Sequence, residues 1–448
     1  MPEEDSNPRN NAGEFSRRRF LKIAGGSLLG FSLPLAFSAD SRAASAELKV
    51  GAILSLTGPN APVGKTIRDG ARLAAEKIND AGGIDDEIEV KLAVEDGKTS
   101  QTGASDAARR LANRGDIGFT LGPLIGTHGA ASQPILASAR IPQIFFGGDA
   151  RFTDRHEKYP LSIRYGTQRS LQAAPILKYA AEEREQRKLY LIAPNIQPGK
   201  SFRDVTEKIL DRMEGVSLVG SEFYPPFNRD FSPLITKVMN SSAEGLVIGT
   251  GIPADLISVS REFDRRGIEP RDFGYYTGQT PNGSVAFRNQ VVDNGLGNGV
   301  IFSWHYERAN FERDFERSRP PESAVKMEKA FAEKFGGPPD SPPSASWGWG
   351  SIYIIKQAIE GLISERGEET VLNMSLTREL PAEAIGYLLP EKRRKTGPVV
   401  NTPYGNYGFL KCGQFNIRLG VATFREEEQY LLQDRGYGES LLDPLCPS

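Results

Sequence analysis

Apolar and polar positions follow two alternating patterns between residues 48 and 146. Short apolar or alternating runs predict β-strands at residues 48–54, 88–94, 117–121 and 144–146. Runs with helical spacing separate them and predict helices at residues 66–79, 102–113 and 127–139. Strands separated by helices of this length indicate right-handed βαβ units and a parallel sheet.

The same pattern starts again after Tyr159–Gly166, which reads as a strand that crosses to a second lobe. We expect Arg164 on the surface of this strand, with a salt bridge across a hinge as the alternative. Strands and helices then alternate from Thr167 to Gly299, which predicts a second α/β lobe. The remaining predicted elements are a strand at 299–304, helices at 323–335, 347–363 and 376–389, and a β hairpin at 406–424.

Two lobes joined by several crossings predict a hinge around a cleft, which is the geometry of a closing ligand trap. In open parallel sheets, ligands bind beyond the carboxyl ends of the strands. We therefore expect function in the loops at residues 55–64, 122–127 and 147–152.

The length of the chain indicates how many domains it has, and its charge argues against one class of partner. A chain of 448 residues predicts at least two domains. The formal net charge is −2 and no long basic stripe is present, so we expect no nucleic-acid partner.

The amino terminus contains the segment Ser16–Lys22, which resembles a twin-arginine export signal over its whole motif. An apolar run with several glycines follows, and the small residues Ala44–Ala46 fit a cleavage site. We expect residues 1–46 to be removed and the folded protein to reach the periplasm. Cleavage after Ala39 and a short membrane anchor are the alternatives.

The chain contains two cysteines, Cys412 and Cys446. In an exported chain, two cysteines favour a disulfide, here one that ties the carboxyl tail to the preceding β segment. Two unpaired buried thiols are the alternative.

Catalytic and metal-binding motifs are missing. The three histidines (His128, His156 and His305) lack metal-ligand spacing, and neither a G-x-S-x-G motif nor a Walker loop is present. We expect no catalytic residue, no metal and no cofactor. Gly249–Ala254 matches a dinucleotide-binding fingerprint, but it lies inside its lobe rather than opening a domain, so a tight turn at the cleft rim is the favoured interpretation.

The turn Gly122–His128 opens a helix at the carboxyl end of a strand, where N–H groups and the helix dipole attract an anion. The hydroxyl of Thr127 contacts such a ligand or caps the helix, and both roles are compatible if the ligand carboxylate takes the free N–H groups. Trp304, Trp347 and Trp349 are candidates for an apolar pocket wall or for plain core.

Five segments together resemble the periplasmic type I substrate-binding proteins of branched-chain amino acid and amide/urea ABC transporters. They are Lys49–Gly58, Asp69–Ile84, Glu95–Gly97, Leu121–Pro123 and Arg229–Ile235. The resemblance covers about Glu47 to Phe424 and implies an α/β fold of two Rossmann-like lobes with parallel sheets and a three-segment hinge. The implied division is 47–166 with 302–397 and 167–301 with 398–448.

The resemblance also implies a ligand site between the lobes. Its carboxylate-binding turn falls on Gly126 and Thr127, the following contacts on Gly147, Gly148 and Asp149, the ammonium partner on Gln279, and an aromatic wall on Trp347. Tyrosines of the family fall on Val63, Pro198 and Gly251.

Two departures from the family pattern change the expected ligand. The loss of the tyrosines at Val63, Pro198 and Gly251 implies a differently shaped pocket. Gln279 is neutral, so the usual ammonium partner is missing. Asp149 is its candidate replacement, and an N-cap of the segment near Arg151 is the alternative role for Asp149.

The implied function is capture of a small solute by lobe closure in the periplasm and its delivery to an inner-membrane ABC permease, by a monomer. An amino acid, an amide or urea-like solute and a small organic acid are all candidate ligands. The alternative function is a sensory or accessory ligand-binding module without transport.

Overall fold

The computed structural model describes residues 46–149, 152, 154–304, 322–390, 396–403, 405–412, 414–416, 418–425 and 428–437. The twin-arginine segment, Arg151, His305 and Cys446 lie outside these residues. No helix within the described ranges is both long enough and apolar enough to cross a membrane.

The first sheet contains five parallel strands in the order β2-β1-β3-β4-β5. Its strands are β1 (Ala46–Leu54), β2 (Ile88–Asp96), β3 (Ile117–Leu121), β4 (Gln143–Phe145) and β5 (Ser162–Arg164). The helices between them are α1 (Ala61–Asp80), α2 (Gln101–Arg114) and α3 (Gly126–Ser138). The predicted parallel βαβ pattern is therefore confirmed.

Strand β1 shows why this sheet has helices on both faces. Successive side chains of a strand point to opposite faces of the sheet. Leu48, Val50 and Leu54 pack with α1 in the main core, whereas Ile53 packs with α2 in a smaller core on the other face. A strand that is apolar on both faces is typical of a buried parallel sheet.

The second sheet has seven strands in the order β14-β13-β10-β9-β8-β6-β7. Its strands are β6 (Lys188–Pro194), β7 (Ser217–Tyr224), β8 (Gly245–Ile248), β9 (Tyr275–Thr277), β10 (Val300–Trp304), β13 (Arg418–Arg425) and β14 (Glu428–Tyr437). Strands β6 to β10 are parallel, and β13 and β14 add an antiparallel edge. The predicted hairpin at 406–424 is therefore corrected, because β13 forms its hairpin with β14.

Helices cover both faces of the second sheet. They are α4 (Arg169–Glu182), α5 (Gln197–Leu210), α6 (Ser232–Met239), α7 (Pro253–Arg265), α8 (Pro270–Phe273), α9 (Thr280–Gly283) and α10 (Val285–Phe287), with a π-helical turn at Arg288–Val292. Helices α4 and α5 pack on one face and α6 and α7 on the other.

The carboxyl-terminal part returns to the first lobe. It contributes α11 (Glu322–Phe335), α12 (Pro342–Arg366), α13 (Glu368–Leu372), α14 (Glu379–Leu388), β11 (Val400–Thr402) and β12 (Gly405–Tyr407). Val400, Phe409 and Phe415 belong to the core of the first lobe. These three residues thus pack in the first lobe although the family resemblance assigns residues 398–448 to the second, and the full division into lobes stays a prediction.

Arg164 is not a surface residue. It is fully buried at the end of β5, its Nη2 donates a hydrogen bond to the carbonyl of Asp149, and its guanidinium lies over the rings of Phe145 and Phe152. The segment around Phe415 also contacts Arg164, because the amide of Phe415 donates a hydrogen bond to the carbonyl of Arg164. The expected surface position was wrong.

Helices α1 and α12 touch through their backbones. A Cβ atom on Gly70 would overlap the carbonyl oxygen of Ala345, and one on Gly348 would overlap the carbonyl oxygen of Ile67. Glycine therefore allows the two helices to approach closely. The contact lies in the first half of both helices.

We predict that Gly70→Ala and Gly348→Ala each lower the free energy of unfolding by about 1–3 kcal/mol, because the added methyl group must displace a backbone carbonyl. Urea denaturation of the two variants measures this change. Gly386→Ala in α14 is the control, because a Cβ there meets nothing within 4 Å. We expect that change to stabilise by up to about 1 kcal/mol through helix propensity. Equal effects in all three variants would contradict the close helix contact.

Candidate functional site

A cavity of about 720 Å³ lies where the strand ends of both sheets meet. The residues that line it follow the carboxyl ends of β1, β3, β4 and β5 in the first sheet and of β6, β8 and β9 in the second, and the first turns of α12 complete the wall. This is the position in which open parallel sheets bind ligands.

All seven predicted ligand-binding residues line this cavity. They are Gly126, Thr127, Gly147, Gly148, Asp149, Gln279 and Trp347. The positions where the family carries tyrosines (Val63, Pro198 and Gly251) also line it. The structure brings these residues together, and their contacts with a ligand stay a prediction.

Six long helices begin at the cavity wall, namely α1, α3, α4, α5, α7 and α12. No side chain of an N-cap residue caps any of these six. By contrast, Ser100 caps α2, which does not line the cavity. An uncapped helix start carries free N–H groups and about half a positive charge, so the wall favours an anionic group.

Thr127 is not a helix cap. Helix α3 begins at Gly126, and Ile125 occupies the N-cap position. The hydroxyl of Thr127 therefore belongs to the first turn of the helix. The prediction that Thr127 caps this helix was therefore wrong, and its contact with a ligand stays a prediction.

The loop at 147–149 lies directly against this helix start. A Cβ atom on Gly126 would overlap the side chain of Asp149, and one on Gly147 would overlap the carbonyl oxygen of Leu124. Both glycines are thus required by close packing. Asp149 is half-buried, and its carbonyl accepts the hydrogen bond from Arg164 described above.

Two arginines lie beside this loop, and sequence reasoning assigned a site role to neither. Arg169, the first residue of α4, lines the cavity and donates a hydrogen bond from Nη1 to Oε1 of Gln172 at 2.7 Å. Burial lowers the pKa of Arg169, and the charge of Asp149 opposes that effect. Burial also lowers the pKa of Arg164, to about 9, against the charges of Asp149 and Asp154.

Trp347 forms part of the core and of the cavity wall at once. Its ring stacks on Phe146 at 6.0 Å between centroids and 11° between planes, and its Nε1 is buried without a hydrogen-bond partner. Trp349 stacks on Tyr353 and does not line the cavity, so it is plain core. Much of the remaining wall is apolar and includes Val63, Leu124, Phe146, Ile252 and Val285.

The fingerprint-like turn after β8 also lies at the cavity, where Gly251, Ile252 and Pro253 line the wall. Its geometry is local, because Oγ1 of Thr250 accepts a hydrogen bond from the amide of Ile252 at 3.0 Å. Thr250 and Tyr224 also contact the Oδ2 of Asp255, at 3.2 and 3.1 Å.

The described histidines do not gather. His128 is buried in α3, and burial lowers its pKa. His156 contacts the carbonyl of Ser162 at 3.1 Å, and burial lowers its pKa as well. Across the part of the chain that the structure covers, no three histidine, cysteine, aspartate or glutamate residues form a group that could hold a metal ion.

Comparison with known proteins gives a consistent family. A sequence profile of the family described as periplasmic binding protein matches residues 47–413. The chain is 27% identical over 246 residues to the Leu/Ile/Val-binding protein homolog 3 of Brucella melitensis, and this match covers 54% of the chain and 64% of that relative. The chain thus spans less than two thirds of the length of the curated relatives it matches.

Solved structures share the fold. A branched-chain amino acid transporter substrate-binding protein of Streptococcus pneumoniae in complex with isoleucine has a TM-score of 0.68 and 17% identity, over 86% of this chain and 99% of that chain. A solute-binding protein of an ABC transporter from R. palustris in complex with 4-hydroxybenzoate also has a TM-score of 0.68, with 15% identity over 89% of this chain and 98% of that chain. The type I periplasmic binding fold predicted from the sequence is confirmed.

Asp255 predicts a pH dependence of stability. Burial raises its pKa to about 6 from 3.8, although Tyr224 and Thr250 donate hydrogen bonds to it. The folded state therefore binds this proton more tightly than the unfolded chain, so this residue's contribution to stability falls as pH rises from about 4 to about 6. We expect Asp255 to lower the free energy of unfolding by about 2.5 kcal/mol between pH 4 and pH 7, because its carboxyl is already partly ionised in the unfolded chain at pH 4.

Asp255→Asn removes this titration while it keeps the side-chain shape. The difference in unfolding free energy between the variant and the wild type should change by about 2.5 kcal/mol over that pH range, in favour of the variant at neutral pH. Urea denaturation at several pH values measures it. A difference that does not vary with pH would contradict the raised pKa.

Proposed function

We propose that this chain, which belongs to the periplasmic binding protein family, captures a small solute in the periplasm and delivers it to an ABC permease of the inner membrane. The observation that carries the proposal is the cavity lined by the strand ends of both sheets. A ligand there contacts both lobes, so its binding energy favours their closed arrangement. The solute leaves chemically unchanged.

The wall suggests how the ligand is held. The uncapped start of α3 at Gly126 and Thr127 offers N–H groups to an anionic or strongly polar group. Trp347 and Phe146 supply an apolar surface for the body of the ligand. Gln279 and the turn at Gly251 close the site from the second lobe.

The family relatives support an amino acid or a small organic acid as ligand, because the similar structures hold isoleucine in one case and 4-hydroxybenzoate in another. An amide remains a third candidate. We further propose that the protein acts as a monomer without a cofactor and that the twin-arginine route exports it. We also propose that the hinge divides the protein into two lobes. The first lobe has residues 47–166 with 322–416, and the second has residues 167–304 with 418–437.

The proposed function predicts that the protein binds one small solute and closes on it. Native mass spectrometry of the protein as purified, followed by a thermal-shift panel of amino acids, amides and organic acids, identifies the solute. Adding it should reduce the radius of gyration in small-angle X-ray scattering, because the lobes approach each other. Chemical turnover of the solute, or no binding at all, would end the proposal.

Variants test whether this cavity is the binding site. Thr127→Ala should weaken binding roughly tenfold through loss of one hydrogen bond. Trp347→Phe should weaken it as well while it keeps the stack on Phe146, whereas alanine would leave a costly hole in the core. Thr66→Ala is the control, because that hydroxyl bonds within α1 to the carbonyl of Pro62. Unchanged affinity in both cavity variants would remove this site.

The cysteine pair gives a separate prediction. Cys412 is buried in the core of the first lobe, and we propose that Cys446 is its disulfide partner. Thiol titration of the exported protein, denatured without reductant, should therefore find no free thiol, and reduction should release two. Two free thiols before reduction would contradict the pairing.

A further inference from the structure

We propose that the ligand of this cavity carries a carboxylate that binds Arg169, and that it has no ammonium group. This inference rests on the proposed function and specifies its ligand. It places the anionic end of the ligand at the start of α4 and beside the 147–149 loop. It also makes Arg169 the residue that determines specificity.

Arg169 has no anionic partner of its own within the described ranges. Its side chain is half-buried at the cavity wall, and its hydrogen bond goes to the neutral Gln172. None of the carboxylates that the structure describes lies within salt-bridge distance of it. The planar guanidinium is suited to two parallel hydrogen bonds with a carboxylate, which makes it a strong anchor for this group.

The charged groups beside the 147–149 loop are compatible with a bound anion at Arg169. Asp149 is the carboxylate whose charge acts on both Arg164 and Arg169, so one negative group faces two positive ones. Asp154 also acts on Arg164, but it is exposed and has the further cations Arg155 and Lys208 nearby. The exposed Asp340 lines the cavity from the other side, before α12. A ligand carboxylate would pair with the guanidinium of Arg169, which shares the charge of Asp149 with Arg164.

Two buried polar atoms without partners lie on the same part of the wall. The Oγ1 of Thr167 and the Nε1 of Trp347 have no hydrogen-bond partner, and both residues line the cavity and are more than nine-tenths buried. Thr167 and Arg169 both border Gly148, because a Cβ there would lie 3.1 Å from the carbonyl of Thr167 and 3.3 Å from the Nε of Arg169. Trp347 stacks on the preceding Phe146. Buried polar groups are normally hydrogen-bonded, so these donors favour an acceptor on the ligand.

An ammonium group finds no carboxylate on the opposite wall. The lining residues that follow β6, β8 and β9 are all uncharged, and Gln279 stands at the position where the family resemblance implies an acid. The Oε1 of Gln279 is buried without a partner, which suits a neutral donor such as a hydroxyl group. Asp149, our candidate replacement from the sequence, faces the two arginines instead.

Two matched series of compounds test the inference by isothermal titration calorimetry. One series is 3-phenylpropanoate, 3-phenylpropanamide and L-phenylalanine, and the other is 4-methylpentanoate, 4-methylpentanamide and L-leucine. Within a series, only the charge of the acid group or the presence of an ammonium group changes. In at least one series, the carboxylate should bind at least about tenfold more tightly than both its amide and its amino acid.

The Arg169→Gln variant should weaken carboxylate binding roughly 10- to 100-fold and change amide binding less than about threefold. Arg169→Lys should restore part of the affinity, because lysine keeps the positive charge but cannot form the two parallel hydrogen bonds of a guanidinium. Arg203→Gln is the matched control, because Arg203 lies over the ring of Phe223 and does not line the cavity. Circular dichroism checks that each variant is folded, and the wild-type series decides the question if the glutamine variant is not.

The outcomes separate this inference from the proposed function. Tighter binding of an amide or an amino acid, or a co-purified ligand with an ammonium group or without a carboxylate, would overturn the inference and leave a solute-binding protein. A co-purified carboxylate without an ammonium group would support it even if neither series binds. No binding in either series together with no co-purified ligand would overturn both.

Discussion

Parallel pairing of the strands is the constraint on which the rest of this structure depends. When each strand is followed by a helix that returns along the sheet, all carboxyl strand ends must lie at one edge. Here two sheets obey the rule, and seven of their strand ends meet at a single cavity. The same rule places the amino termini of the helices there. The electrostatic character of the site thus comes from the backbone before any side chain is considered.

Sequence patterns predicted the repeating elements well because both faces of these sheets are buried. Strand β3 was predicted at its observed bounds, since five apolar or small residues between clear turn signals leave little freedom. Helix α12 was predicted to start five residues late, because Pro342 and Pro343 resembled a loop although proline is well tolerated in a first helical turn. The site residues came from the family resemblance, and the structure brings them to one wall.

The positions of two arginines were the main features that the sequence patterns failed to predict, and the reason is physical. In a strand of three residues, the side chain of Arg164 reads as a surface group, and only the fold reveals the stacked rings of Phe145 and Phe152 beside it. Arg169 looked like an ordinary first residue of a helix. Its position beside Gly148 depends on a loop about twenty residues earlier in the chain, and no local pattern reports such a contact.

The close seam between α1 and α12 has a consequence for how such a protein changes over evolution. Asn60 and Val63 at the start of one helix and Trp347 near the start of the other belong to the same wall, and backbone atoms hold the two helices in register. Substitutions there would disturb packing throughout the lobe. New solute preferences are therefore expected to arise first in the loops of the opposite lobe, where Gly251 has open space around it and can accept a larger side chain without moving its neighbours.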